Sequence, residues 1–436
     1  MKRIFYTSLL MMALLTQALG QGGRQLSAQN LVGVTDVTSI PLSDTLAERA
    51  KNPDARPKKS VRESSEPDAG NSAAGEKKRY RVEAEYLNWR IKGSDVPILA
   101  QTFGFLNTTR APDAVLVGGR EYNPGNSGGG RITAGMWLNQ RRTIGVEASY
   151  FYLGPRSINQ SAGGNGADSS PFIGRPFIPV FSNFGSTFPI SFPSRARGDL
   201  TASLASHVQG AELNGVYDLG KRGCCPLKLL AGVRFLDLKE RLTIIENLVY
   251  NYAGTLGDGS EFSFIITDEF ATRNRFYGGQ AGAETGFTFK RLNLEFSGKV
   301  ALGGVRQLVN ISGSTIIIDR LNMQRQSPGG FLALESTNMG RYERTRLVVL
   351  PEAKATIGYQ LMDNLQAFAG YDFLYLSGVA RPAEQIDFRI NWVRVPFYRS
   401  IDFPSEPRGG PNMPAFTYSD SPFWARGLTV GLRLGF

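Results

Sequence analysis

The sequence contains very little of two residue types that often carry chemistry, cysteine and histidine. Its 436 residues include only two cysteines, the adjacent Cys224 and Cys225, and a single histidine, His207. Two neighbouring cysteines cannot staple a disulfide-rich secreted domain. One histidine without a Cys/His cluster cannot build the usual zinc sites. We therefore predict no metal site and no cofactor.

Long apolar runs are also lacking. No later stretch holds about 18 consecutive apolar residues, so the sequence predicts no transmembrane helix. The one apolar run near the start, residues 4–15, is too short for a bilayer, which takes about 20 residues. It follows two basic residues and precedes the small residues Ala18 and Gly20. This layout is typical of a cleaved secretory signal peptide over residues 1–20, with an uncleaved anchor as the alternative.

Residues 21–78 are poor in aromatic residues and rich in Ser, Ala, Pro and charges of both signs. Such a segment cannot bury enough apolar surface to offset the entropy lost on ordering. We expect a flexible periplasmic leader, with a short helix possible over residues 42–50. Aromatic residues begin at Tyr80, and the folded part is expected to occupy residues 79–436.

The rest of the chain repeats one pattern, a strict alternation of apolar and polar residues. In residues 144–152 the apolar positions are even numbered, and Glu147 and Ser149 lie between them. Period two over about ten residues indicates a strand with one apolar and one polar face. The same alternation occurs over residues 131–140, 225–238, 277–289, 292–302, 347–359, 365–375 and 427–436.

The connections between these strands alternate between short and long. Short turns are expected near residues 140–142, 220–225, 290–291 and 362–364. Long connections are expected over roughly 92–130, 154–205, 247–268, 317–343 and 379–423. An even strand number with short turns on one side and long loops on the other is typical of outer-membrane barrels. We predict an all-β, closed, antiparallel transmembrane barrel of about ten strands (twelve as the alternative), with an aromatic girdle at the strand ends.

The last strand ends on Phe436. In lipid every backbone polar group must be paired, so the last strand must meet the first and the sheet must close. We expect Phe436 to belong to this closing strand and to act as a signal for the barrel assembly machinery.

Residues 80–436 contain, in order, the stretches "GGRITAGMWL", "IGVEASYFYL", "LLAGVRFLDLKE", "GKVALGGVRQLVNISGST", "NMGRYERTRLVVLPE" and "FAGYDFLYLSGVARPAEQID". Together these stretches resemble the seventh of the families called putative beta-barrel porins. It implies an outer-membrane barrel and no catalytic residues.

Charged residues of both signs fall on the polar, lumen-facing positions of the strands. The expected lumen residues are Glu147, Glu212, Arg234, Glu284, Lys299, Glu352 and Asp372. Counting from the turns places Glu212, Arg234, Lys299, Glu352 and Asp372 at similar depth. A barrel of about eight strands is filled by side chains and one of sixteen leaves a channel, so ten lies near the filled end. Two interpretations remain: a narrow or gated porin-like channel for small solutes, or a non-conducting structural, adhesive or ligand-binding barrel.

The loops leave further alternatives open. The Phe- and Pro-rich segment 171–195 shows no strand period and is expected to pack on itself, with a constriction or a partner-binding patch as alternatives. The net charge is +11, and arginines crowd the loop side. A basic rim would bind anionic lipid headgroups or draw small solutes. The alternative is ordinary charge pairing within the loops. The arginines expected on the loop side are Arg156, Arg175, Arg195, Arg197, Arg273, Arg275, Arg320, Arg325, Arg341, Arg344 and Arg381.

Two function classes are disfavoured. No nucleic-acid fold signature accompanies the basic charge, so nucleic acid is not an expected partner. Barrel proteases and acyltransferases rely on His with carboxylate or Ser partners, and His207 alone would have to serve. We predict that the chain is not an enzyme and that His207 is a girdle residue.

Overall fold

A computed structural model describes residues 78–103, 114–123, 125–182, 184–222, 225–251, 261–319, 321–400 and 409–436. The predicted signal peptide, nearly all of the leader, the short helix at residues 42–50 and Cys224 lie outside the described residues. No helix of the described part is long and apolar enough to cross a membrane.

Strands make up nearly all regular structure in the described residues. In chain order they are β1 (Tyr80–Ile91), β2 (Ser94–Val96), β3 (Ala100–Phe103), β4 (Val115–Val117), β5 (Arg120–Tyr122), β6 (Asn126–Trp137), β7 (Ile144–Gly164), β8 (Phe172–Pro179), β9 (Ser186–Ser191), β10 (Ala196–Arg222), β11 (Cys225–Asn251), β12 (Glu261–Phe289), β13 (Leu292–Ile318), β14 (Gln324–Pro328), β15 (Gly340–Met362), β16 (Leu365–Ala380), β17 (Arg389–Ile390) and β18 (Asp420–Gly435). A short helix, α1, covers Pro396–Ser400, and two 3₁₀ turns cover Pro382–Gln385 and Trp392–Arg394.

Ten of the described strands form a closed ring. Their order is β1, β6, β7, β10, β11, β12, β13, β15, β16, β18, and β18 pairs again with β1. All ten neighbouring pairs are antiparallel. Four short connections join β6 to β7, β10 to β11, β12 to β13 and β15 to β16. The predicted ten-stranded antiparallel barrel is therefore confirmed.

The ring closes where β1 meets β18, a contact that we call the closure seam. Its register runs from Arg81 opposite Gly435 to Ile91 opposite Ala425. At the end of the seam nearest the short turns, Tyr80 and Phe436 exchange two backbone hydrogen bonds of 2.8 and 3.0 Å. Their rings stack with centroids 5.6 Å apart. The aromatic side chain of Phe436 thus covers the last backbone pair of the seam.

Replacing Phe436 by Ala is expected to reduce the yield of assembled barrel several-fold. The stack of Phe436 with Tyr80 contributes about 0.5–1.5 kcal/mol beyond the burial of the two rings. It lies where the first and last strands must pair to close the sheet. The measurement is the fraction of heat-modifiable, folded barrel in outer membranes. Phe289→Ala removes another exposed aromatic at the end of a ring strand, outside the seam. Equal yields for the two variants would contradict the assigned role.

The outer surface is apolar only over the turn-side part of the ring strands. On β11, Leu229 and Val233 face outward and are exposed, whereas Arg234 faces inward and is buried. A band of exposed apolar side chains continues around the ring and includes Tyr86, Tyr150, Tyr277, Leu294, Leu302, Leu347, Tyr371 and Leu428. An outward apolar band with an aromatic girdle is the surface that faces lipid in transmembrane barrels. We call it the apolar band.

Beyond the apolar band the two faces exchange polarity. On β11 the outward side chains of Lys239 and Arg241 are exposed, whereas Leu242 and Ile244 face inward and are fully buried. Further inward apolar residues of β11 and of other ring strands belong to the same core, among them Leu248, Phe264, Ile266, Phe270, Val309 and Ile311. The long strands therefore continue beyond the apolar band as a barrel with a polar outside and an apolar inside. The predicted long connections 154–205, 247–268 and 317–343 were wrong, because much of each is strand.

The interior of this outer part is filled by the chain itself. Residues 171–195, for which no strand was expected, form the antiparallel hairpin of β8 and β9. Phe177 and Phe188 of this hairpin are buried against Phe331, and Phe188 also contacts Phe397 of α1. The hairpin therefore packs mainly inward. Its tip leaves Phe184 largely exposed, at 82%.

Candidate functional site

Four of the predicted lumen residues form one ion-pair cluster inside the ring. The Lys299 ammonium lies 2.6 Å from the Glu212 carboxylate and 3.3 Å from that of Glu352. The Arg234 guanidinium lies 3.5 Å from Glu212 and also contacts Glu352. Two cations and two carboxylates thus balance, with at most 11% of any of these side chains exposed.

The strand register explains why these four meet. Glu212 lies opposite Arg234 on β10 and β11, and Lys299 lies opposite Glu352 on β13 and β15. Strand β12 separates the two pairs, and it places Gly282 beside Lys299. A Cβ on Gly282 would lie 2.6 Å from the Cγ of Lys299. Glycine therefore leaves the room in which the two pairs join.

Asp372 belongs to a second cluster. The sequence predicts it at the same depth as the other four residues, but it does not contact them. Its carboxylate lies 2.9 Å from Arg131 and accepts a hydrogen bond from Thr429. Arg131 also lies 3.4 Å from Glu85, which accepts from Lys354 at 2.9 Å. Arg131 on β6 and Asp372 on β16 are separated by two strands of the ring, so their contact crosses the lumen.

A third group of ion pairs fills the lumen nearer the turns. Glu284 lies 3.1 Å from Lys228, and the predicted Glu147 contacts Arg81. Arg433 on β18 lies 2.6 Å from Glu295 on β13, again across the ring. All seven predicted lumen residues therefore face the interior. Their role in lining a conducting path stays a prediction.

Sequence reasoning missed the lumen charges of β1 and β6, which are Arg81, Glu83, Glu85 and Arg131. A signal was present, because Arg81, Glu83 and Glu85 alternate with apolar residues in β1. Their partners lie on strands far away in the sequence, such as Arg433, which is 2.6 Å from Glu83. Only the closed ring brings them together.

The charged lumen leaves little free space and ends at an apolar layer. A cavity of about 50 Å³ remains among the ion pairs. On the outer side, one pleat repeat beyond Arg234, the interior becomes apolar. This layer is buried and includes Trp89, Phe151, Leu236, Phe276, Leu350, Leu374 and Phe423. The Arg131 guanidinium stacks over the Trp89 ring at 5.1 Å, where the charged and apolar layers meet.

Two arginines expected on an exposed basic rim are instead buried inside the outer part of the barrel. Arg381 donates to both oxygens of Glu240 at 2.9 and 2.6 Å. Arg175 lies 3.2 Å from Glu246 and 3.1 Å from Asp268. The rim prediction was wrong for these two because their guanidiniums anchor inserted segments to the inner wall.

The Arg175 site holds two carboxylates but one cation. Asp268 also accepts three backbone N–H bonds of 2.8 Å from residues 331–333. Glu246 lacks such donors, and its second oxygen has no hydrogen-bond partner among the described residues. Burial, opposed by Arg175, raises the pKa of Glu246 to about 7.

His207 lies on the outer wall at the edge of the apolar band. Its ring meets the Tyr152 ring edge-on, with centroids 5.0 Å apart. This is the position expected of a girdle residue. The described residues contain no group of three or more His, Cys, Asp or Glu side chains that could hold a metal ion. That the chain is not an enzyme stays a prediction.

Comparison with known proteins identifies one family. The family model described as "Putative beta barrel porin-7" matches residues 82–436. No curated protein matches the chain. Among solved structures, the outer membrane protease OmpT from Escherichia coli aligns over 84% of this chain and 99% of its own, with 10% identity and a TM-score of 0.41. A FadL homologue from Pseudomonas aeruginosa aligns over 82% and 89%, with 10% identity and a TM-score of 0.20. The toluene transporter TodX from P. putida aligns over 83% and 91%, with 11% identity and a TM-score of 0.15. Likeness this low supports no statement about activity.

Proposed function

The chain belongs to the family described as "Putative beta barrel porin-7", and from this premise we propose that it is an outer-membrane barrel with a sealed interior. In this proposal the barrel does not conduct in its folded state and acts through the surface of its outer part, as a structural, adhesive or ligand-binding protein. We further propose export by a signal peptide over residues 1–20 and insertion by the barrel assembly machinery.

The ion pairs that cross the lumen carry the proposal. An open channel keeps its wall charges in water, separated by the width of the pore. Here Arg131 reaches Asp372 and Arg433 reaches Glu295, each across two intervening strands. Buried charges paired this closely are costly to separate, because each would be left uncompensated. These ion pairs therefore keep the lumen closed.

A second seal lies on the outer side of these charges. The apolar layer around Trp89 and Phe276 is contributed by strands from all sides of the ring. A hydrated ion would lose its water there without gaining a polar partner. The hairpin of β8 and β9 fills the interior further out, so three successive regions oppose conduction.

Planar-bilayer recording of the refolded barrel is expected to show no stepwise conductance. Deleting the hairpin over residues 172–191 should leave this unchanged, because the charged lumen and the apolar layer remain beneath it. Heat-modifiable mobility checks that both proteins are folded. Regular conductance steps from the intact protein would overturn the proposal, and steps from the deletion variant alone would show that the hairpin is the seal.

A gated, porin-like channel for small solutes is the second candidate. It is favoured by the cavity of about 50 Å³ among the lumen charges, which has room for ordered water. Opening such a gate would require the side chains of the apolar layer to move away from one another. Voltage-dependent steps from the intact barrel, with ion selectivity, would support this candidate instead.

A further inference from the structure

Two arginines lie side by side on the outer face of the closure seam. Arg90 on β1 is directly opposite Arg426 on β18. Both side chains are exposed, and each alternates with buried neighbours, Trp89 and Ala425, that point into the barrel. The two guanidiniums therefore leave the same face of the sheet at the same level.

Such a pair is unfavourable without a partner. Directly opposite residues in an antiparallel pair have Cβ atoms roughly 4.5–5.5 Å apart, and like charges there destabilise the sheet. No carboxylate of the described residues forms an ion pair with Arg90 or Arg426. On the wall formed by β13 and β15, by contrast, Arg306 is paired with Glu343 at 2.9 Å. The seam is thus an uncompensated basic site.

The surroundings add positive charge and an aromatic surface. The Lys92 ammonium reaches across the seam and donates to the Pro422 carbonyl at 2.9 Å. The Arg426 guanidinium lies over the Trp424 ring, 4.8 Å from its centre. Two described carboxylates lie in this region: Glu121 accepts from the backbone N–H of Gly93, and Glu384 interacts electrostatically with Lys92.

The site lies at the outer border of the apolar band. Tyr86 and Leu428, toward the turns on the same two strands, are exposed apolar residues of the band. Farther along these strands, the outward residues include Arg90, followed by Lys92, and Arg426, followed by Trp424. Trp and Tyr in this position mark the level of the lipid headgroups.

We propose that the closure seam binds the phosphate of an outer-membrane lipid headgroup through Arg90 and Arg426, with Lys92 adding charge. Each guanidinium presents a fork of N–H donors that suits phosphate oxygens. The bound anion offsets the repulsion between the first and last strands of the ring. The lipid is thereby a stabiliser of barrel closure, independently of whether the lumen conducts.

The test compares wild-type protein with Arg90→Gln, Arg426→Gln and the double variant in neutral detergent. Arg156→Gln is the matched control, because Arg156 is an exposed arginine on β7 whose neighbour on β10 is Ser206. Phosphatidic acid and phosphatidylcholine with the same acyl chains are titrated separately. Retained lipid is counted by native mass spectrometry, and the unfolding temperature is followed in parallel.

Wild-type and control protein should retain one phosphatidic acid and gain thermal stability from it, with phosphatidylcholine giving less. Each seam variant should bind phosphatidic acid about tenfold more weakly, because charge-assisted hydrogen bonds are lost. Without lipid, the seam variants should be at least as stable as wild type, because the repulsion is gone. Equal lipid retention by wild-type and double variant would overturn the proposal. Full competition by millimolar inorganic phosphate would assign the site to free phosphate and overturn the lipid.

Discussion

Replacing Arg234 by Met is expected to lower the free energy of unfolding by about 3–5 kcal/mol, the cost of leaving a buried charge unpaired. The change leaves Glu212 and Glu352 with Lys299 as the only cation of the cluster. Urea unfolding in lipid vesicles, followed by fluorescence or gel mobility, measures the loss.

The paired variant Arg234→Met/Glu352→Gln restores charge balance, because Lys299 and Glu212 keep their contact at 2.6 Å. It should therefore be more stable than Arg234→Met alone, and the double-mutant cycle should show strong coupling. Arg306→Met removes an arginine paired on the exposed wall and should change stability little. Additive losses in the cycle would mean that the four charges do not act as one cluster.

Substituting Glu246 by Gln is expected to remove a pH-dependent loss of stability from the outer part of the barrel. Burial raises the pKa of Glu246 from 4.5 to about 7, so the folded protein holds a proton there that the unfolded chain has released. Stability falls with rising pH wherever the folded state binds more protons. The loss sets in as pH rises through 4.5, the unfolded value, and is complete above pH 7. A shift of this size corresponds to about 3 kcal/mol.

The measurement is the difference in unfolding free energy between Glu246→Gln and wild type, taken at several pH values. The difference should grow in favour of the variant by up to about 3 kcal/mol between pH 4.5 and about pH 8. Glu269→Gln, on the outward face of β12, is the control and should show no such growth. Charges near Glu246 are Arg175, Asp268 and Asp199. A pH-independent difference would mean that Arg175 keeps Glu246 ionised.

The strand number and the lumen-facing positions were accessible from the sequence because a lipid-facing barrel wall imposes one rule, period-two alternation. Glu352 and Lys299 alternate with apolar residues that must face lipid, so their inward direction follows from the pattern alone. Their contacts did not follow as readily. Which charge meets which depends on strand stagger and on lumen width, and neither is written in any single strand.

The strand ends were misjudged for a different reason. On β11 the apolar positions are odd up to Phe235 and even from Leu236 onward. The alternation of apolar residues at odd positions therefore stops at Phe235, although the strand continues to Asn251. The period is unchanged and only its phase shifts, because the apolar side turns from lipid to the interior. The hairpin of β8 and β9 was missed because its residues pack on all sides and show no simple alternation.

The exchange of polarity along the strands also fixes how deep the molecule sits. Moving the barrel through the membrane toward its short turns would draw Arg90, Lys239 and Arg426 into hydrocarbon, where a basic residue costs up to about 2–4 kcal/mol at mid-depth. Moving it in the opposite direction would bring apolar side chains such as Val233 into water. Vertical displacement is opposed in both directions and on every strand. The outer rim is therefore held at one constant height above the bilayer, whatever it contacts.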